Sequence, residues 1–103
     1  MKKIRLLLEY GCFPVWIYGE DGVMIDNDLP EELSSDKELE HLCNKIQKEY
    51  DGLFINSEVE FEYKGFSSLA DEKGFNKETE LLEKVLRERC DGLYIIQNDI
   101  NDL

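Results

Sequence analysis

The spacing of apolar positions changes along the chain, and each change marks an element. From Lys3 to Tyr10 the apolar residues crowd into one short run, which predicts a strand. Cys12-Phe13-Pro14 breaks it, since Pro14 has no N–H to give to a ladder and marks a turn or a strand start. Val15-Trp16-Ile17-Tyr18 is β-branched and aromatic, the composition of a strand. Gly19-Glu20-Asp21-Gly22 follows as a turn cluster with the Asp-Gly of a hairpin, and Val23-Met24-Ile25 resumes before Asp26-Asn27-Asp28 closes it. The expectation is a meander of three antiparallel strands.

The period then lengthens. Pro30 precedes Glu31-Glu32-Leu33, which fits one helical turn, and Ser35 with Glu38 three residues on reads as a capping box. Leu39, Leu42, Cys43, Ile46, Tyr50, Leu53 and Phe54 recur at helical intervals, predicting a helix from Asp36 to between Tyr50 and Phe54. Gly52 weakens its last turn by about 1 kcal/mol relative to Ala. Val59, Phe61 and Tyr63 alternate with Glu58, Glu60, Glu62 and Lys64, a pattern of a half-buried strand or of an irregular segment pinned by its aromatics. Asn76 is placed to cap a second helix over Lys77–Cys90 with Leu81, Leu82, Val85 and Leu86 inward, and Asp91-Gly92 to stop it. Leu93-Tyr94-Ile95-Ile96 predicts a last strand, and Asn98 to Leu103 a polar tail that frays.

Strands, two amphipathic helices, then a strand predict an α+β fold of two layers. A mostly antiparallel sheet, the N-terminal three-strand meander plus the C-terminal strand, is covered on one face by two helices. Each helix has a single apolar stripe, so the other sheet face stays at least partly wet. With 103 residues, one domain spanning 1–103 is expected.

Charge changes the picture most. The formal net charge is −12, and Glu20 to Glu40 holds nine acids (Glu20, Asp21, Asp26, Asp28, Glu31, Glu32, Asp36, Glu38, Glu40) against Lys37 alone, a net −8. Glu49 to Glu62 adds five acids and no base. At 42% hydrophobic and 11% aromatic residues the chain is too apolar for a disordered acidic tail, so the charge is displayed on a folded scaffold. A field of one sign on part of a surface steers and holds a partner of the other sign. The target class is a basic macromolecule.

Several chemistries find no footing. Glu9 interrupts the N-terminal apolar run too early for a signal peptide. No stretch approaches the roughly 20 apolar residues of a membrane span, so a cytoplasmic protein is expected. Cys12, Cys43 and Cys90 are odd in number and form no CxxC pair, which points to free thiols rather than a disulfide framework. Their spacings with His41 match no zinc template. His41 has no Ser or Cys that a known motif pairs with it, and no Gly-rich loop or Walker lysine supports nucleotide binding. The Lys and Arg residues are too scattered for phosphate contacts. No catalytic residue, metal or cofactor is expected.

The acids Asp26, Asp28, Glu31 and Glu32 lie close in sequence but lack the calcium-loop pattern. A solvated loop and a protein-binding surface both fit them better than a metal site. On strand alternation Trp16 and Tyr18 share one face while Val15 and Ile17 share the other. Two helices cannot bury both faces. If Trp16 and Tyr18 are the exposed pair, they lead directly into the acidic hairpin, and aromatics beside charge are the composition of interface hot spots. The candidate partner-binding residues are therefore Trp16, Tyr18, Glu20, Asp21, Asp26, Asp28, Glu31 and Glu32.

The stretch Val15-Trp16-Ile17-Tyr18-Gly19-Glu20-Asp21-Gly22, continued through Ile25-Asp26-Asn27-Asp28-Leu29-Pro30-Glu31-Glu32-Leu33, joins a strand, an acidic hairpin and an L-P-E-E-L link into a helix. In this, and over its whole length in size, charge and α+β layout, the chain resembles the small acidic immunity proteins of bacterial polymorphic and contact-dependent toxin systems. The resemblance implies binding and inactivation of a cognate toxin, often a basic nuclease, and carries over no catalytic residue. The charge agrees, because a nuclease site must attract phosphates and is basic. Two other classes stay open: an acidic nucleic-acid-mimicking regulator of a DNA-binding protein, and a small metal-binding domain or enzyme. The lack of a catalytic constellation opposes the second of these.

Overall fold

Residues 1–57, 59–90 and 92–100 are described by a computed structural model. In chain order the elements are β1 (Lys3–Leu6), β2 (Val15–Tyr18), β3 (Met24–Asp26), a 3-10 turn (Glu31–Leu33), α1 (Lys37–Asp51), β4 (Phe54–Asn56), β5 (Phe61–Tyr63), α2 (Leu69–Arg89) and β6 (Ile95–Asn98). Four strands form one sheet in the order β3-β2-β1-β6, and β4 pairs with β5 in a separate two-stranded sheet. The meander is present: β2 runs antiparallel to β1 and β3 antiparallel to β2. β6 adds parallel to β1, with Ile4 opposite Ile96.

Strand alternation decides which face is covered. Ile4, Leu6, Val15 and Ile17 are buried, while their neighbours Lys3, Arg5, Trp16 and Tyr18 are half-buried on the other face. Two helical stripes pack against the buried face. Leu39, Cys43, Ile46 and Tyr50 of α1 step by four, three and four residues, and Phe75, Thr79, Leu82 and Leu86 of α2 do the same. One core joins these with Leu8, Leu29, Leu33, Leu53, Cys90 and Ile100.

Several expected boundaries move. α1 is capped by Asp36, not Ser35: the Asp36 carboxylate accepts the Leu39 N–H at 3.1 Å from an extended backbone. It ends at Asp51 with Gly52 as its cap, so Phe54 opens β4 instead of continuing the helix. α2 starts at Leu69, capped by the Ser68 hydroxyl accepting the Asp71 N–H at 3.1 Å, and Gly74 is absorbed inside it. Burial of Phe75, 4% exposed, offsets the helix cost of that glycine. Leu81 does not face inward; it is 48% exposed, one position off the stripe. β5 is exposed along its length rather than half-buried. The last strand is shifted, and the residues after it do not simply fray. Asp99 donates its N–H to Leu6 O at 2.9 Å, and Ile100 is in the core. Glu58 of the alternating stretch, Asp91 of the helix stop, and the tail from Asn101 lie outside the described residues.

Candidate functional site

The hairpin between β2 and β3 is built by its glycines. Gly22 sits at φ +82°, the left-handed region that favours glycine. A Cβ on Gly19 would lie 2.9 Å from Asp21 Oδ1. Gly19 N–H donates to Val23 O at 2.9 Å and Gly22 N–H to Gly19 O at 3.0 Å. Asp21 Oδ1 accepts the Val23 N–H at 3.0 Å, so this acid also holds the turn. Glu20 pairs with the Met1 amino group, which draws its carboxyl below the usual carboxylate range.

After β3 the acids are presented by short backbone contacts. Asp26 Oδ1 accepts its neighbour's N–H at 2.8 Å, and Asp28 Oδ1 accepts the Leu29 N–H at 2.7 Å. Between them Asn27 turns inward and bonds the start of β2. Buried Pro30 and Leu33 seat the 3-10 turn, leaving Glu31 and Glu32 outside. Glu32 accepts the Tyr94 hydroxyl at 2.9 Å, which ties the turn to the approach to β6. Burial, then that carboxylate, pushes the Tyr94 hydroxyl up to about 12.

These contacts shape a groove. Asp26, Glu31 and Glu32 rim a cavity of about 580 Å³ whose floor is Ile17, Ile25, Leu29, Leu93 and Tyr94. A second hollow of about 640 Å³, beside Glu20, Asp21 and Val23, shares Ile25 and Lys2 with it. Val23, Ile25 and Leu93 are roughly half exposed, so the acidic rim surrounds accessible apolar surface. Glu20, Asp21, Asp26, Glu31 and Glu32 are thereby brought along one continuous surface, with Lys2 as a basic side chain within it.

The remaining candidates lie elsewhere. Asp28 is exposed but lines neither hollow. Trp16 and Tyr18 are on the opposite sheet face, beside Arg5 and Lys3. The Trp16 indole N–H donates to Leu7 O at 3.1 Å, and Arg5 pairs with Asp99. Tyr18 shares only a separate hollow with Glu20. Asp36 is spent on structure: it caps α1 and pairs with Arg89 at the end of α2. Sequence reasoning missed Lys2, Ile25, Leu93 and Tyr94 as groove residues. The last two arrive only through the parallel pairing of β6, which no local pattern announces.

Cys43 and Cys90 are buried and Cys12 half-buried, none of them in a disulfide. Burial pushes the Cys43 thiol up to about 12 and raises that of Cys90, which disfavours the thiolate in both. Among the described residues no three His, Cys, Asp or Glu side chains are arranged to hold a metal ion, and no helix is long and apolar enough to cross a membrane.

The family described as Serratia CdiI immunity protein-like matches residues 2–97 of the chain. No curated protein matches it.

Proposed function

The chain belongs to the Serratia CdiI immunity protein-like family and is an immunity protein of a contact-dependent inhibition system that neutralises a cognate toxin; we propose that this toxin is a basic nuclease domain, bound at the groove between β3, the 3-10 turn and Tyr94. The observation that carries this reading is the groove's composition. Three carboxylates, Asp26, Glu31 and Glu32, rim an apolar floor, and Glu20 and Asp21 extend the rim.

A nuclease must draw phosphates into its site, so the surface around that site is cationic. A folded acidic surface reproduces the charge of the substrate and steers the encounter, with association toward roughly 10⁸–10⁹ M⁻¹s⁻¹ at low salt. Charge alone gives speed rather than lifetime. Ile25 and Leu93 supply the apolar contact that excludes water once the surfaces meet. On this reading the chain acts by occupying its partner and turns nothing over.

The test is to co-purify the chain with the protein encoded in the adjacent gene and assay that protein on nucleic acid with and without it. A stoichiometric complex that abolishes nucleic-acid cleavage is expected. A partner that is acidic, or that cleaves no nucleic acid, overturns the nuclease assignment.

A further inference from the structure

A second surface occupies the other end of the molecule. α1 has fifteen residues and is about 22 Å long, with Asp36 at the groove end and Tyr50 at the far end. There β4 and β5 pair with Phe54 opposite Tyr63 and Asn56 opposite Phe61, so Phe54, Phe61 and Tyr63 share one face. Phe54 and Phe61 stack at 5.3 Å, and Tyr10 meets both edge-on at 5.2 and 4.9 Å. This cluster is not covered: Phe61 is 56% exposed, Tyr63 57% and Tyr10 38%, and Val59 near the hairpin tip is 95% exposed. A two-stranded sheet is marginal alone, and grouped exposed aromatics are the composition of a binding surface rather than of a resting one.

The charge around the cluster says what covers it. Glu9 and Glu60, next in the chain to Tyr10 and Phe61, are exposed, and neither forms an ion pair among the described residues. Beside Tyr63 opens a cavity of about 470 Å³ walled by Tyr50, Phe54, Phe66 and Phe75, with the Glu72 side chain on its lining. Aromatic faces next to carboxylates suit a guanidinium, which lies over a ring while its fork bonds an acid. A second copy of this chain does not suit it, because the same acidic rims would meet across the contact.

We propose that the aromatic face of the β4–β5 hairpin docks an arginine-bearing segment of the same toxin and sets the lifetime of a complex that the groove steers into place. This rests on the toxin reading above. A standard interface of about 800 Å² per partner is roughly 30 Å across, against about 22 Å for α1, which runs between the two ends.

The experiment measures association and dissociation rates, with the toxin domain encoded beside this chain as the probe. Tyr63→Ala and the double variant Val59→Lys/Glu60→Lys are compared with wild type, and circular dichroism checks the fold. Val59 is so exposed that its replacement leaves packing intact, which keeps the test sound if Tyr63→Ala loosens the hairpin. Both variants are expected to dissociate about tenfold faster or more while associating within about threefold of wild type. Unchanged dissociation in both overturns the proposal. So does a dimer of the chain alone that Tyr63→Ala abolishes, which would make this face a self-contact. The groove reading fails separately: if only hairpin variants affect the complex and association is independent of salt, the groove plays no part and the hairpin assignment stands.

Discussion

Asn27 grips the backbone of Phe13 from both sides: its Oδ1 accepts the Phe13 N–H at 3.1 Å while its Nδ2 donates to the Phe13 carbonyl at 2.7 Å. The same Nδ2 reaches Val15 O at 2.8 Å. One side chain thus fastens the exit of β3 to the entrance of β2 and leaves the flanking Asp26 and Asp28 facing solvent.

Asn27→Ala should destabilise the protein by about 1–3 kcal/mol, because partly buried backbone groups lose their partners together. Asp28→Asn keeps an acceptor for Leu29 N–H and should stay within about 0.5 kcal/mol of wild type. Urea unfolding midpoints check both. Equal stabilities for the two variants would mean that Asn27 does not fasten the strands.

The cap of α1 gives a second comparison. Asp36→Ala removes the acceptor of the Leu39 N–H and the partner of Arg89, and should cost about 1–2 kcal/mol. Ser35→Ala touches neither and should cost nothing measurable. A larger loss for Ser35→Ala in thermal unfolding would restore Ser35 as the cap.

Glu49 and Glu78 meet between the helices, where Lys45 lies 3.0 Å from Glu78 but 3.9 Å from Glu49. Burial first, then hydrogen bonding to Glu78, holds the Glu49 carboxyl above the usual carboxylate range, with Asp71 adding to it. Glu78 Oε2 is buried without a hydrogen-bond partner. A carboxyl raised in the folded state favours folding at acid pH; that contribution is lost as pH rises from the unfolded value through the folded one. Glu49→Gln should therefore be more stable than wild type at pH 7, by at most about 1 kcal/mol. The gain should shrink to nothing near pH 4. A variant less stable than wild type at pH 7 would contradict this.

What the sequence revealed of the fold follows from how local each signal is. The Asp-Gly turn, with Gly22 at positive φ, and the stripe Leu39-Cys43-Ile46-Tyr50 depend on near neighbours and were readable. Phe54 was not, since it continues the helical spacing from Tyr50 although Gly52 has already ended the helix. Ser68 lost out to Asn76 as the expected cap because Gly74 looks like punctuation until the burial of Phe75 is known. The acids of the groove could be named from charge alone. Their separation from Trp16 could not be foreseen without knowing which sheet face the helices cover. Leu93 and Tyr94 join Glu31 and Glu32 only through a parallel pairing across most of the chain.

The most direct test of the central claim is the salt dependence of association with the toxin domain encoded beside this chain, measured for wild type and for Asp26→Lys/Glu31→Lys. Glu80→Lys/Glu88→Lys, two exposed acids on α2 that line neither hollow, makes the same change in net charge. The wild-type association rate should fall steeply between about 50 and 200 mM salt, and the groove variant should bind about tenfold more slowly or worse with a flatter salt slope. The α2 variant should stay within about threefold of wild type. If the α2 reversal slows association as much as the groove reversal, net charge and not the groove recruits the toxin, and the assignment is wrong.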